Sequence, residues 1–239
     1  MTGRDGLWGE NLMVHDRMAV LQGMMSQGMI PVFFHPDVEV CLKVIQACAN
    51  GGAKCVEFTN RGDFAASVFL DVTRHFAKAD PSVIMGVGSI VDAPTAGIYM
   101  ANGAKFVVGP LLNADVAKVC NRRGIPYSPG CGSATEIGDA QELGCELIKV
   151  FPGASVGGPD FVKSVMGPMP WTRIMPTGGV EPTEASLRKW FGAGIVACGI
   201  GSNMLTKALL DAKDFKGIEA NVRQTLQLVK TIKAELAGK

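Results

Sequence analysis

The 239-residue chain has few histidines and no paired-cysteine motif. His15, His35 and His75 form no HxH or HxxxH arrangement, which is the close spacing typical of a zinc site. The seven cysteines include no CxxC pair, and their odd number fits poorly with a disulfide framework. We therefore expect no catalytic metal, no cofactor, and reduced, mostly buried thiols in a cytoplasmic protein.

Charged residues are also scarce. They make up 19% of the chain, below the usual share of about 25%, and the formal net charge is +1. Low charge argues against a disordered charged tail and against a nucleic-acid or membrane-surface partner. The N-terminal segment lacks the basic, apolar and small-residue order of a signal peptide, and no apolar run is long enough to span a bilayer. We expect a small-molecule substrate and neither a nucleic-acid nor a membrane partner.

Short apolar runs alternate along the chain with amphipathic segments. This alternation is typical of βα units that form a parallel sheet, whose strands are buried on both faces. Eight strands are predicted, at residues 29–34, 55–59, 84–87, 106–108, 127–128, 147–151, 174–176 and 196–198. Seven helices are predicted between them, at residues 37–50, 64–78, 93–102, 114–123, 134–143, 158–166 and 184–192.

Several helix-to-strand connections share a short phrase, a glycine at the helix end followed by alanine. This weak internal repeat favours an α/β fold of equivalent units, a (β/α)8 TIM barrel. A helix over 12–27 and an amphipathic helix over 215–236 would close or cap it. With no change in composition along the chain, we predict one domain over 1–239, with a core at about 28–205.

Active sites of such barrels lie at the C-terminal ends of the strands. Lys149 lies inside the apolar run 147–151, where period-two alternation places it on one face with Leu147 and Phe151. Burial disfavours an ammonium ion, so the neutral amine would become a nucleophile. The alternative is a structural lysine whose charged end reaches solvent at the strand end.

Glu57 and Arg61 accompany the second predicted strand. Glu57 shares its face with Cys55 and Thr59, and Arg61 follows the strand end. A carboxylate that points into a barrel needs either a partner or a role in proton transfer. An arginine at that end is placed to bind a substrate carboxylate. The alternative is a structural ion pair of Glu57 with Arg61 or Lys149.

Glycine-rich loops follow the seventh and eighth predicted strands, at residues 175–179 and 198–202. Barrels often bind phosphate at these two loops, because glycines let backbone N–H groups approach an oxyanion closely. Ordinary tight turns are the alternative interpretation.

These residues and their order resemble the KDPG/KHG aldolase family, class I aldolases acting on 2-keto-3-deoxy-6-phosphogluconate (KDPG) or 4-hydroxy-2-oxoglutarate (KHG). The similarity runs from about Gly28 to Leu205. The matching motifs are Val56-Glu-Phe-Thr-Asn-Arg61, Gly86-Val-Gly-Ser89, Ile148-Lys-Val-Phe-Pro152, Pro176-Thr-Gly-Gly179 and Gly199-Ile-Gly-Ser202. Ser89 replaces the family's common threonine, and Val150 replaces an aromatic residue or leucine. The stretch Gly199-Ile-Gly-Ser202 replaces the Gly-Gly-Ser form of many members.

The resemblance implies Lys149 as the Schiff-base lysine and Glu57 as the general acid and base. It implies that Arg61 and Ser89 bind the pyruvate carboxylate, and it implies a homotrimer. The remaining implied site residues line the pocket (Pro110, Phe151 and Thr177) or hold the substrate phosphate (Gly178, Gly179, Gly201 and Ser202).

The implied reaction is cleavage of KDPG to pyruvate and glyceraldehyde 3-phosphate. KHG and the galactonate epimer of KDPG are alternative substrates. A phosphate-binding barrel isomerase or synthase would keep the glycine loops but would not need Lys149 as a nucleophile. A barrel that only binds a ligand or acts as a scaffold would leave the combination of Lys149, Glu57 and Arg61 unexplained.

Overall fold

The computed structural model describes residues 16–238, which form nine short strands and ten helices. The strands are β1 (Met29–Phe33), β2 (Cys55–Thr59), β3 (Ile84–Gly88), β4 (Val107–Val108), β5 (Tyr127–Ser128), β6 (Gly130–Cys131), β7 (Ile148–Val150), β8 (Ile174–Pro176) and β9 (Cys198–Ile200). The helices are α1 (Arg17–Gln27), α2 (Val38–Asn50), α3 (Ala65–Ala79), α4 (Ala93–Ala101), α5 (Ala114–Arg123), α6 (Ala134–Glu142), α7 (Gly158–Met166), α8 (Glu184–Gly192), α9 (Lys207–Asp211) and α10 (Phe215–Ala237).

All the strand pairs are parallel, so the α/β architecture predicted from the alternation is confirmed. Six strands form a curled sheet in the order β5-β4-β3-β2-β1-β9, and β6-β7-β8 form a second sheet. A parallel bridge between Thr177 and Gly199 links the end of β8 to β9. Pro129 alone separates β5 from β6 in the sequence. The C-terminal ends of all these strands therefore face the same side.

Alternate residues of the strands form two apolar clusters. The larger cluster packs the strands against the surrounding helices. The smaller cluster contains Val20, Leu21 and Met24 of α1. They pack against residues that include Cys55 of β2 and Leu147, which directly precedes β7. Side chains of a strand alternate between its two faces with a period of two. Glu57, two residues after Cys55, and Lys149, two residues after Leu147, therefore lie on the same face as those apolar residues. An apolar floor closed by α1 thus lies directly beneath both ionisable groups.

Polar contacts hold α1 against this floor. Asp16 caps the helix by accepting a hydrogen bond from the Ala19 N–H. The guanidinium of Arg17 binds both carboxylate oxygens of Glu146, at 2.7 and 2.8 Å, just before β7. The predicted helix at 12–27 is confirmed over Arg17–Gln27, whereas residues 12–15 lie outside the described residues.

The long C-terminal helix α10 confirms the helix predicted at 215–236. Ile218, Val222, Val229 and Ile232 are buried on one face of it. Its Lys233 donates hydrogen bonds to the carbonyl oxygens of Met25 and Val196, at 2.7 and 3.3 Å. The helix is therefore integrated with α1 and with the segment before β9.

One local prediction was wrong, and one helix was missed. The last strand is Cys198–Ile200, not 196–198, because Gly199 and Ile200 pair with Ile30 and Pro31 of β1. Long-range pairing thus overrides a local glycine pattern that indicates a loop. The short helix α9 was not predicted, since its five residues show too little of a helical period.

No helix within 16–238 is both long and apolar enough to cross a membrane. The same residues contain no group of three or more His, Cys, Asp or Glu side chains arranged to hold a metal ion. All seven cysteines are buried and free, and burial raises the pKa of Cys48 to about 12.

Candidate active site

Glu57 occupies the middle of β2, paired with Val32 of β1 and Gly86 of β3. The residue is 1% exposed, and its Oε2 has no hydrogen-bond partner within the described part of the chain. Burial raises the pKa of this carboxyl group, while the positive charges of Lys149 and Arg61 lower it to a smaller extent. A buried carboxyl group with an unused oxygen is suited to accept and return a proton.

One of the two glycines of β3 makes this position of Glu57 possible. A side chain on Gly86 would overlap the ring of Phe106, and one on Gly88 would overlap Oε1 of Glu57. Gly88 leaves room for the Glu57 carboxylate inside the curled sheet, and Gly86 leaves room for the Phe106 ring. Their presence in the motif that ends in Ser89 therefore has a direct steric reason.

Lys149 occupies the middle of β7, between Gly130 of β6 and Met175 of β8. It is 5% exposed, and its Nζ lies 4.6 Å from the centre of the Phe151 ring. Burial lowers the pKa of the ammonium, the Glu57 charge raises it, and the Arg61 charge lowers it. Desolvation thus favours the neutral amine, the form that attacks a carbonyl carbon.

The structural alternatives for these residues fit less well. The ion pairs found within residues 16–238 do not include Glu57, Lys149 or Arg61. Lys149 does not reach solvent at the strand end either, because it is buried. By contrast, Lys54 lies just before β2 and pairs with Asp80 at 2.8 Å, as a structural surface lysine does.

An open cavity of about 620 Å³ lies at the C-terminal ends of β1, β2, β8 and β9. It brings together most of the predicted site residues, namely Arg61, Phe151, Thr177, Gly178, Gly179, Gly201 and Ser202. Arg61 is exposed, so its guanidinium is accessible to a ligand. The Oγ1 of Thr177 is buried without a hydrogen-bond partner among the described residues.

The two glycine loops have unusual backbone angles or backbone N–H groups without a carbonyl partner. Gly178 and Gly179 have φ angles of 88° and 82°, which a residue with a side chain rarely adopts. Within residues 16–238, the N–H groups of Gly178, Gly179 and Ser202 donate to no backbone carbonyl. Free N–H groups that converge at strand ends form a concave surface suited to an oxyanion.

Four predicted site residues are not among those that line this cavity: the buried Glu57 and Lys149, and Ser89 and Pro110, which lie just after β3 and β4. Ser89 has a φ of 62°, an uncommon backbone conformation for a residue other than glycine. A side chain on Gly130 would overlap the carbonyl of Pro110, and Gly130 pairs with Lys149. Pro110 is therefore packed against the strand next to the lysine.

The structure adds lining residues that were not predicted. Thr59 is 3% exposed and donates a hydrogen bond to the Phe33 carbonyl at 3.3 Å. Its period-two relation to Glu57 could have identified it. His35 lines the cavity from the end of β1, and Lys207 and Asp211 line it from α9. For those three, the local sequence carries no comparable pattern.

Comparison with known proteins identifies the family. The family model for KDPG and KHG aldolases matches residues 20–221. The chain belongs to this family. A 2-dehydro-3-deoxy-phosphogluconate aldolase of Treponema pallidum (strain Nichols) is 32% identical over 213 residues, which are 89% of this chain and 98% of that protein. The resemblance inferred from the motifs is confirmed, and the chain is a class I Schiff-base aldolase, a lyase.

Solved structures agree on the fold. A 2-keto-3-deoxy-6-phosphogluconate aldolase from Zymomonas mobilis is 25% identical, with a TM-score of 0.75 over 88% of this chain and 96% of that one. A KDPG aldolase from Legionella pneumophila, with pyruvate captured as a covalent carbinolamine, has a TM-score of 0.79 at 22% identity, over 88% and 98% of the two chains. The chain described here therefore shares the fold of both solved aldolases.

Proposed function

We propose that this aldolase cleaves KDPG to pyruvate and glyceraldehyde 3-phosphate through a Schiff base on Lys149. The observation that carries the proposal is the buried amine of Lys149, whose pKa is lowered, in electrostatic contact with the buried carboxyl group of Glu57. Few structural roles explain two buried groups of opposite charge that influence each other's pKa without forming an ion pair, whereas imine chemistry needs both.

In the proposed reaction, the neutral Lys149 amine attacks C2 of the keto acid, and the carbinolamine loses water to give an iminium ion. Glu57 takes the proton of the C4 hydroxyl as the C3–C4 bond breaks and the bonding electrons pass to the iminium nitrogen. The aldehyde leaves, and an enamine of pyruvate remains. Protonation at C3 and addition of water then release pyruvate and restore the amine. Acid–base help of this kind contributes roughly 10²–10⁴-fold to the rate.

The substrate would lie with its carboxylate against Arg61 and Ser89, and with the pyruvate portion against Pro110, Phe151 and Thr177. Arginine suits the carboxylate because its planar fork binds two oxygens at once. The unpartnered Thr177 hydroxyl supports a polar contact with the substrate. The proposed phosphate ligands are Gly178, Gly179, Gly201 and Ser202.

KHG and the galactonate epimer of KDPG are the alternative substrates. The free N–H groups of the two glycine loops favour a substrate with a terminal phosphate, which KHG lacks. A phosphate-binding isomerase or synthase would share these loops, but the buried Lys149 argues for imine formation instead.

The finer architecture is also part of the proposal. The bridge between Thr177 and Gly199, and the single residue between β5 and β6, support closure of the two sheets into a (β/α)8 barrel in which β5 and β6 count as one strand. We propose one domain over 1–239, a homotrimer, and a cytoplasmic location. The trimer is what the family resemblance implies.

Trapping with borohydride tests the mechanism. Pyruvate and borohydride together should convert Lys149 to a stable secondary amine, located by peptide mass spectrometry. Lys149→Met should abolish the adduct, and Lys54→Met, which changes a surface lysine, should not. If Lys149 stays unmodified while the wild-type enzyme cleaves KDPG, the proposed nucleophile is wrong.

A further inference from the structure

His35 follows the C-terminal end of β1, beside the ends of β9 and β2. β1 lies between β9 and β2 in the sheet, with Pro31 paired to Ile200 and Val32 paired to Glu57. The end of β1 is thereby next to both Gly201 of the proposed phosphate loop and the segment leading to Arg61. His35 lines the same cavity as Gly201, Ser202 and Arg61.

Two hydrogen bonds fix His35 in place. Its Nδ1 accepts a hydrogen bond from the Asp37 N–H at 3.1 Å, and its carbonyl oxygen accepts one from Cys41 Sγ at 3.2 Å. In a neutral imidazole, one ring nitrogen accepts and the other carries the proton. Because Nδ1 is the acceptor here, the proton is on Nε2, and His35 offers a fixed N–H donor.

The cationic side chains that line the cavity offer little positive charge to a phosphate at the glycine loops. A phosphate monoester carries about −1.5 to −2 charges near neutral pH. Lys207 lines the cavity, but its ammonium pairs with Asp211 at 2.6 Å, and Asp211 lines the cavity too. Arg61 is assigned to the carboxylate at the opposite end of the substrate. Among the described residues His35 Nε2 has no hydrogen-bond partner, so His35 offers a side-chain N–H to the cavity that it lines together with Gly201 and Ser202.

We propose that His35 is a specificity-determining residue, whose Nε2–H donates to the terminal phosphate of the aldehyde half of the substrate. This inference rests on the proposed function, because it needs an aldehyde that leaves from, or adds to, the enamine on Lys149. It assigns the end of β1 to recognition of the phosphate, together with the loops after β8 and β9.

Two substitutions separate the roles of the two ring nitrogens. In His35→Asn, the amide oxygen can replace Nδ1 as the acceptor for the Asp37 N–H, but no donor remains at the position of Nε2. In His35→Gln, the longer side chain can return an N–H donor to that position. Each variant is assayed by condensation of saturating pyruvate with glyceraldehyde 3-phosphate or with unphosphorylated glyceraldehyde.

We expect His35→Asn to raise KM for glyceraldehyde 3-phosphate about tenfold or more, the effect of losing one hydrogen bond to a charged group. KM for glyceraldehyde should stay within about twofold, and His35→Gln should recover most of the loss. Equal changes for the two aldehydes, or no change for either, would overturn the proposal for His35. Borohydride trapping of pyruvate serves as an independent control: if it fails in the wild-type enzyme, the proposed function fails, whatever His35 does.

Discussion

The carboxylate of Glu57 occupies the space that a side chain on Gly88 would fill. A methyl group built on Gly88 overlaps Oε1 of Glu57, and the two residues belong to neighbouring strands in fixed register. The absence of a side chain at one position thus sets the location of the proposed acid and base at another. This relationship can be tested without changing Glu57 itself.

Gly88→Ala should reduce kcat by about 10²-fold or more, because the displaced carboxyl group loses its alignment for proton transfer. The Glu57 side chain can rotate away, so the protein should still fold, as circular dichroism would show. Gly97→Ala is the matched control. Gly97 lies in α4 with nothing near its side-chain position, and alanine there should keep full activity and stabilise the helix by about 1 kcal/mol. Full activity of Gly88→Ala would contradict the assigned position of Glu57.

Charges near Lys149 should shift the pH dependence of imine formation in opposite directions. The amine must lose its proton before it attacks, so trapping declines as pH falls through the Lys149 pKa. Burial lowers this pKa, the Glu57 charge raises it, and the Arg61 charge lowers it. Glu57→Gln should therefore move the acidic limb of trapping to lower pH, and Arg61→Gln should move it to higher pH.

The measurement is the pH of half-maximal borohydride trapping at saturating pyruvate. Arg74→Gln, on α3 and outside the cavity, should leave that midpoint unchanged. Shifts of Glu57→Gln and Arg61→Gln in the same direction, or no shift in either, would be incompatible with the proposed electrostatics.

Thr177→Val should separate binding from stability. The Thr177 hydroxyl is buried without a partner among the described residues, so its removal should not lower the free energy of unfolding. The efficiency of KDPG cleavage should fall, because the hydroxyl is proposed to contact the substrate. In Thr172→Val, by contrast, the Gln141 amide loses an acceptor at 3.0 Å, and stability should decrease by about 1 kcal/mol. Urea unfolding and steady-state kinetics on both variants provide the comparison. A large loss of stability in Thr177→Val with normal kinetics would indicate a structural role.

Arg17→Ala should destabilise the fold by about 1–3 kcal/mol, since it removes a two-point hydrogen bond to a partly buried carboxylate that fixes α1. At low temperature the active site should still form and trap pyruvate. Arg188→Ala is the control, because Arg188 makes comparable ion pairs with Glu184 and Glu235 on an exposed surface, where solvent weakens them. Equal urea midpoints for the two variants would show that Arg17 does not anchor the helix.

Local sequence patterns predicted the features that depend on a period of two. Alternation along single strands placed Lys149 and Glu57 on the inner face, and burial supplied the expected direction of the Lys149 pKa shift. Features that depend on long-range pairing were not predicted. The sequence around Gly199 and Ile200 is typical of a loop, but both residues pair with β1 in the structure. His35 lines the cavity because β1 lies beside β9.

The contact between Lys233 and the end of α1 has a consequence for the order in which the molecule is completed. Lys233 donates to the carbonyl of Met25 at 2.7 Å, an oxygen in the last turn of a helix, where carbonyls lack partners within the helix. During synthesis the ribosome delivers Glu57, Lys149 and both glycine loops well before residue 233. A nascent chain therefore contains every proposed catalytic group while α1 still lacks this partner, and this contact of α1 forms only after residue 233 has been synthesised.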